Sequence, residues 1–441
     1  MRRLIMCLAV LICSAAAARA AAPDSIWLTV DGSGYRLLKS IQPDVRALAI
    51  RRSPLSPGRV LDVDADTRYV VAASRQLRDR LAQAVHQQRG HCGGFMAFDD
   101  ERSALTALNP VPLAVVPTRP DYSITEQARV LPLLGEVSAS RIGSDIQSLS
   151  AFHNRYYDAS YGADAADAVF NQWQSLAAGR SDIHVEKVFR SSNGVPLDLM
   201  PSVRLTIDGS LLPQQRLVLG AHLDSINHRD RDGLPVAAAR APGADDNASG
   251  VASLTEVLRV LLAHDFHPHR QLEFIAYSGE EVGLLGSHFI AADYASRQLD
   301  VVGVLQLDMT DYQGSAADIV LIDDYTDATQ NAFLASLATT YLPHLLVAHS
   351  QCGYACSDHF AWNQRGYAAS FPFEAKMGED NPEIHSSRDT WATLGNQATH
   401  AQKFSRLALA WMVELSADAD DVIFANGLET VSATLAVRPR R

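Results

Sequence analysis

Two histidines and a set of carboxylates stand at matching places in this sequence, each a little past a short apolar run. The run at 217–220 leads to His222 and Asp224, and Asp245 and Asp246 sit in the turn Pro242-Gly243-Ala244-Asp245-Asp246-Asn247, ahead of an apolar helical pattern at 251–262. The run at 272–277 gives way to Ser278-Gly279-Glu280-Glu281, the run at 304–307 ends at Asp308, and His385 lies in a loop after a run at 368–373. Taken singly, each acid has an ordinary role: an Asp before a helix caps it, and a carboxylate at a helix start is favourable with the helix dipole. Taken together, two imidazoles and several carboxylates at the same end of successive strands form a mixed nitrogen and oxygen ligand set suited to zinc, large enough for two ions. Two ions about 3.5 to 4 Å apart need a carboxylate between them and can lower the pKa of a water they share.

Groups so far apart in the chain meet only if the elements before them lie side by side. From residue 126 onward, apolar runs of strand length alternate with helical patterns of ten or more residues, which implies a parallel-rich sheet covered on both faces. Open sheets of this kind build their sites at the carboxyl ends of the strands. The expected fold is α/β, a three-layer α/β/α arrangement with a central mixed, mostly parallel sheet, preceded by a small α+β prosegment. Expected strands are 184–189, 203–207, 217–220, 271–277, 301–308, 319–322 and 368–373; expected helices are 163–176, 248–264, 284–294, 328–341, 358–364 and 397–415. The division is 1–20 a signal peptide, 21–125 a prosegment or accessory domain with no site residue, 126–416 the catalytic domain and 417–441 a tail.

Composition narrows the function classes. The chain has 441 residues, 47% hydrophobic and 20% charged, which is ordinary for a globular protein with a sizeable core. A formal net charge of -12 and the lack of a long basic run speak against a nucleic-acid partner. Arg2 and Arg3, the apolar run 4–12 and the small-x-small site Ala18-Arg19-Ala20 read as an export signal, with a mature start near Ala21 and a secreted or periplasmic destination. No later window is long and apolar enough to span a bilayer. Export leaves Cys92, Cys352 and Cys356; in an oxidising compartment Cys352 and Cys356 can close a tight local loop, with Cys92 left over. A zinc ribbon at Cys352 and Cys356 would need a second ligand pair at ribbon spacing, which is absent.

Six ordered segments, AHLDS at 221–225, PGADDNASG at 242–250, SGEEVGLLGS at 278–287, LQLDM at 305–309, CGYACSDH at 352–359 and NPEIHSSRDT at 381–390, resemble the secreted bacterial leucyl aminopeptidases with co-catalytic zinc. The resemblance covers about residues 130 to 415. It implies a di-zinc aminopeptidase that removes a large, hydrophobic, Leu-like N-terminal residue from peptides or proteins, and a monomer is expected. His222 and Asp308 would bind one ion, Glu281 and His385 the other, and Asp246 would bridge them. Asp224 would hold the ring of His222, Asp245 would precede Asp246 in a cis peptide, and Glu280 would be the general base on the bridging water. Tyr354, held by a Cys352–Cys356 bridge, would donate to the developing oxyanion. Met309, Ile322, Cys356, Phe373, Met377 and Ile384 would line the pocket for the first side chain. Met377 stands where well-known members carry an aromatic residue, which leaves the preference among Leu, Phe and Met open.

Two other readings compete. Glutaminyl cyclases resemble the same framework with one zinc and cyclisation in place of hydrolysis, and a non-catalytic ectodomain could keep the fold for binding. Adjacent Glu280 and Glu281, with AHLDS and CGYACSDH, favour the peptidase; a binding ectodomain would be expected to lose ligands or the base, and all are present.

Overall fold

Six strands form the sheet behind the site, in the order Ala369–Ser370, Asp300–Gln306, Leu212–His222, Arg270–Tyr277, Ser202–Ile207 and Ile183–Val188. The first four run parallel to one another and the last two pair antiparallel, so the fold is a mixed α/β one. The structure, a computed structural model, describes residues 24–52, 67–91, 93–109, 113, 116–192 and 194–416. The expected signal at 1–20, the mature start at Ala21, Cys92 and the tail at 417–441 lie outside the described residues.

The central strands are buried through 217–222, 272–277 and 301–306, the continuous apolar runs expected of strands covered on both faces. Side-chain alternation splits them between two cores. Leu217, Leu219, Leu272, Phe274 and Leu305 pack with Leu254, Leu258 and Trp411 of helices Gly250–Ala263 and Ala401–Ser416. Val218, Ile275, Tyr277 and Val304 pack with Ile290 and Tyr294 of helix Leu285–Ser296.

One expected strand is divided. The run at 368–373 contributes Ala369–Ser370 to the large sheet and Pro372–Phe373 to a second sheet, where it lies antiparallel to Ile319–Ile322, itself parallel to Val347–Ser350. Pro372 has no N–H to give a ladder, so the chain leaves one sheet there and joins an edge position in the other. The strand expected to run to Asp308 stops at Gln306, leaving Asp308 in the following loop.

Residues from Ser25 onward form a four-stranded antiparallel sheet, in the order Ala47–Arg52, Thr67–Ser74, Ser25–Asp31 and Phe95–Phe98, with helices Gly32–Ile41, Arg75–Arg89 and Glu101–Leu108. Helix Arg75–Arg89 starts where the Ser74 side chain accepts from the Leu77 amide and stops at Gly90 with φ 81°. Its buried stripe Leu77, Leu81 and Val85 belongs to the same apolar cluster as the strands of the large sheet. Polar contacts join the two units as well. The Ala97 amide donates to the Gly283 carbonyl at 3.1 Å, His288 Nε2 lies 2.8 Å from the Ala97 carbonyl, and the Gly94 amide donates to the Ala355 carbonyl at 2.8 Å. Gly93 lies so close that a Cβ there would sit 2.4 Å from the Ala355 carbonyl oxygen. No helix among the described residues is long and apolar enough to cross a membrane.

Arg190 adds an ionic link across this junction. It makes a bidentate pair with buried Asp198 at 2.6 and 3.0 Å and reaches Asp99, just past strand Phe95–Phe98, at 2.7 Å. Removing the cation would leave Asp198 buried and unpaired, so Arg190→Leu is expected to cost about 3 to 5 kcal/mol in unfolding free energy measured with denaturant. Asp99 keeps about a third of its side chain in solvent, and Asp99→Asn should cost about 1 kcal/mol or less. Equal small losses in both would mean that Asp198 does not depend on its cation.

Candidate active site

The parallel register brings the strand ends level. His222 pairs with Tyr277 and Gly220 with Gln306, so His222, the turn Glu280–Val282 and Asp308 emerge at one edge of the sheet. Glu280 and Glu281 are not part of the next helix. They occupy a separate 3-10 turn between Gly279 at φ 70° and Gly283 at φ 112°, which turns both carboxylates inward before helix Leu285–Ser296 begins.

Asp246 is the centre of the site. Its Oδ1 lies 3.0 Å from His222 Nε2 and its Oδ2 lies 2.7 Å from His385 Nε2, one oxygen for each imidazole. His222 Nε2 is also 3.2 Å from Asp308 Oδ1, and His385 Nε2 is 3.1 Å from Glu281 Oε2. The structure thus brings together all five residues expected to bind metal. The acid-rich turn itself is irregular: Asp246 and Asn247 depart from helical φ and ψ, and the cis peptide joins Asp246 to Asn247, not Asp245 to Asp246 as expected. Gly243, with φ 53°, admits no side chain, because a Cβ would meet the Asp246 carbonyl oxygen at 2.3 Å.

Four groups hold these atoms in place. Asp224 does so differently from the expectation: the nearer acceptor for His222 Nδ1 is its backbone carbonyl, at 3.1 Å, while its carboxylate Oδ1 stands 3.6 Å away. That carboxylate instead accepts from the amides of Glu280 and Glu281, at 3.0 and 3.2 Å, which fixes the turn carrying both acids. Asp389 accepts from the amides of Asp245 and Asp246 at 3.1 Å each, and Ser357 donates to Asp308 Oδ2 at 2.6 Å. Arg155, wholly buried, donates to the carbonyls of Leu149, Leu223, Pro242 and Gly243, tying the loop after His222 to the turn before Asp246.

The electrostatics call for cations. Burial, reinforced by Asp246, raises the Glu281 pKa; burial also raises Glu280, against the pull of His222 and with help from Glu281. Burial alone would lower both histidines, but Asp308 and its neighbours hold His222 well above its usual value, and Glu281 with Asp246 holds His385 up at about 10. Asp246 is buried too, yet the two histidines keep it well below the usual carboxylate range. Among the described residues, no amide or hydroxyl donates to either oxygen of Glu281. His222, Asp246 and Glu281 offer donor atoms within 4.8 Å of one another. A buried cluster whose acids outnumber its imidazoles, with an acceptor that has no ordinary donor, fits divalent ions with nitrogen and oxygen ligands.

Beside these groups opens a cleft lined by Met309, Tyr354, Cys356, Phe373, Met377 and Ile384 among the residues expected, and by Cys352, which bonds to Cys356. Ile322 does not line it. Fully buried on the middle strand of the small sheet, it packs behind Met309, Phe373 and Ile384. Two lining residues were not anticipated. Phe371 meets Phe373 with the two rings tilted at 58° and centroids 5.4 Å apart, and alternation through Pro372 could have shown it. His91 comes from the N-terminal unit and stands 3.4 Å from Asp380; no local pattern in the sequence singles it out.

The chain is similar to known peptidases. Residues 203–412 match the model of Peptidase family M28. A "Probable leucine aminopeptidase" of Trichophyton verrucosum is 35% identical over 318 residues, which is 71% of this chain and 83% of that protein. Among solved structures, LapB from Legionella pneumophila matches 89% of this chain and 100% of its own at a TM-score of 0.70 and 28% identity. The LapA aminopeptidase of the same organism matches 90% of this chain and 100% of its own at 0.71 and 25% identity.

Because Asp246 faces both imidazoles while Glu281 faces one, their substitutions should differ. If two ions bind here, Asp246→Asn is expected to abolish binding of both and Glu281→Ala of one, as read by metal analysis of dialysed protein. Equal stoichiometry in the two variants would remove Asp246 from its bridging place.

Proposed function

The chain belongs to peptidase family M28 and is a metallo-aminopeptidase, and on that premise we propose that it binds two zinc ions and releases large hydrophobic, Leu-like residues from peptide N-termini. The observation that carries this reading is the position of Asp246 between His222 and His385, with Glu280 next to a ligand and outside the ligand set. His222 and Asp308 would hold one ion, Glu281 and His385 the other, and Asp246 both. Ions bound there would polarise the scissile carbonyl and lower the pKa of a water between them.

The chain's own groups then supply the rest. Glu280 takes a proton from the attacking water as the new C–O bond forms and returns it to the departing amine as the C–N bond breaks. Its backbone amide is pinned to Asp224, so the carboxylate is presented from a fixed turn. Nearby cations would favour its ionised form against the burial that raises its pKa. Tyr354 lines the cleft and would donate its hydroxyl to the developing oxyanion. Met309, Phe371, Phe373, Met377 and Ile384 give the first substrate side chain an apolar seat, which supports the hydrophobic preference.

Export through residues 1–20 to a secreted or periplasmic destination belongs to the same proposal, supported by the signal-like sequence and the Cys352–Cys356 disulfide, and a monomer is proposed with it. The sequence predicts a prosegment at residues 21–125, with an accessory domain as the other reading; we take the accessory domain. His91 lines the cleft, and a match to 89% of this chain by a crystallised relative must include part of this unit, because residues 126–441 alone are fewer. N-terminal sequencing of the active protein should find a start near Ala21; a start after 125 would make the unit a prosegment.

General acid and base catalysis is typically worth about 10²- to 10⁴-fold, so Glu280→Gln should lose about that much turnover on a leucyl arylamide with both ions retained. Near-normal turnover would overturn the division of roles between Glu280 and Glu281. One ion in the wild-type protein would favour the cyclase reading instead.

A further inference from the structure

The ligand-facing nitrogen of His385 is Nε2, which points at Asp246 and Glu281. Its other nitrogen, Nδ1, lies 2.7 Å from Nδ1 of His86, a residue of helix Arg75–Arg89 in the N-terminal unit. The two rings meet edge to face with centroids 4.6 Å apart, and both side chains are buried. His228 is also near, but its ring stands 6.3 Å from that of His385, and the contact between these two residues runs through the His228 amide, which donates to the His385 carbonyl at 3.0 Å.

An imidazole binds a metal through a bare nitrogen, so binding at Nε2 puts the His385 proton on Nδ1. A proton on that atom needs an acceptor, and the nitrogen 2.7 Å away can accept only if His86 is neutral and carries its own proton on Nε2. Two Nδ1 atoms at hydrogen-bond distance admit one donor and one acceptor, and a metal at His385 decides which is which. We propose that His86 is a positioning residue of the metal centre: it accepts from Nδ1–H of His385, sets the ring's tautomer and orientation, and makes the N-terminal unit part of the site that holds the second ion. In this role the more usual partner is a carboxylate or a backbone carbonyl. Here the partner comes from a different unit of the chain, held there by the Leu77, Leu81 and Val85 stripe and by Arg78, whose guanidinium donates to the Tyr157 hydroxyl at 3.1 Å.

This inference rests on the two-ion reading, and the test separates the two. Zinc affinity of the full-length protein is measured by competition with a chromophoric chelator for the wild type, His86→Leu and His86→Asn. Asn offers a carbonyl oxygen close to the place of Nδ1, whereas Leu fills space without an acceptor. Loss of such a partner typically costs 10- to 100-fold in metal affinity, so His86→Leu should weaken one of the two ions by about that factor, while His86→Asn should restore most of it. With cobalt in place of zinc, the visible absorption of one ion should change in His86→Leu and return in His86→Asn. Wild-type affinity in His86→Leu would overturn the proposal, and so would an Asn variant as weak as the Leu variant, since that pattern reports packing and not acceptance. A single ion in the wild type would count against the two-ion reading alone, and the same pair of variants would still decide the role of His86 on that ion.

Discussion

An excess of buried negative charge governs this molecule. Asp246, Glu280, Glu281 and Asp308 converge in a space where each is almost wholly shielded from water, and isolated charges so placed cost far more than any packing around them returns. Only cations make the arrangement tenable. With protons alone available, the surrounding acids hold both histidines above the usual imidazole range. Divalent ions would displace those protons, so metal uptake and proton release are two sides of one equilibrium. The sheet, the two irregular turns and the network behind them keep the acids from moving apart to relieve their repulsion.

That network has its own logic. Asp389 spends both oxygens on the amides of Asp245 and Asp246, and Asp224 spends both on the amides of Glu280 and Glu281. In each case a carboxylate outside the ligand set fixes the backbone of one inside it or beside it. Backbone amides set by two hydrogen bonds hold a side chain's origin more firmly than rotamer preference alone, and metal sites reward that rigidity.

Much of this was legible in the sequence, for a physical reason. Parallel strands covered on both faces read as unbroken apolar runs, so their ends were visible, and the groups just past them could be recognised as one site. His222, Asp246, Glu281, Asp308 and His385, the set that the resemblance implied, come together at that edge. Less legible were features that depend on packing between distant segments. Ile322 looks like any apolar residue near the cleft, and only its place on the middle strand of the small sheet puts it behind the lining. The division at Pro372 hinges on which sheet each half joins, although the proline itself marked the break. His86 and His91 carry no local signature at all: a histidine near the end of a polar helix and another just after it read as surface until the docking of the whole N-terminal unit turns them inward.

Arg155 has an implication for how the molecule acquires its shape. The carbonyls it gathers belong to residues 149, 223 and 242–243, segments that are strangers along the chain until the sheet and its covering helices have met. A guanidinium with its planar fork can serve several acceptors at once, which a lysine cannot, but it can do so only when all of them are already near their final places. Such a clasp closes late, after the more local helices and strand pairs have formed, because contacts between remote segments wait on the loops that separate them. The catalytic edge of the sheet would then be among the last parts of the protein to become itself.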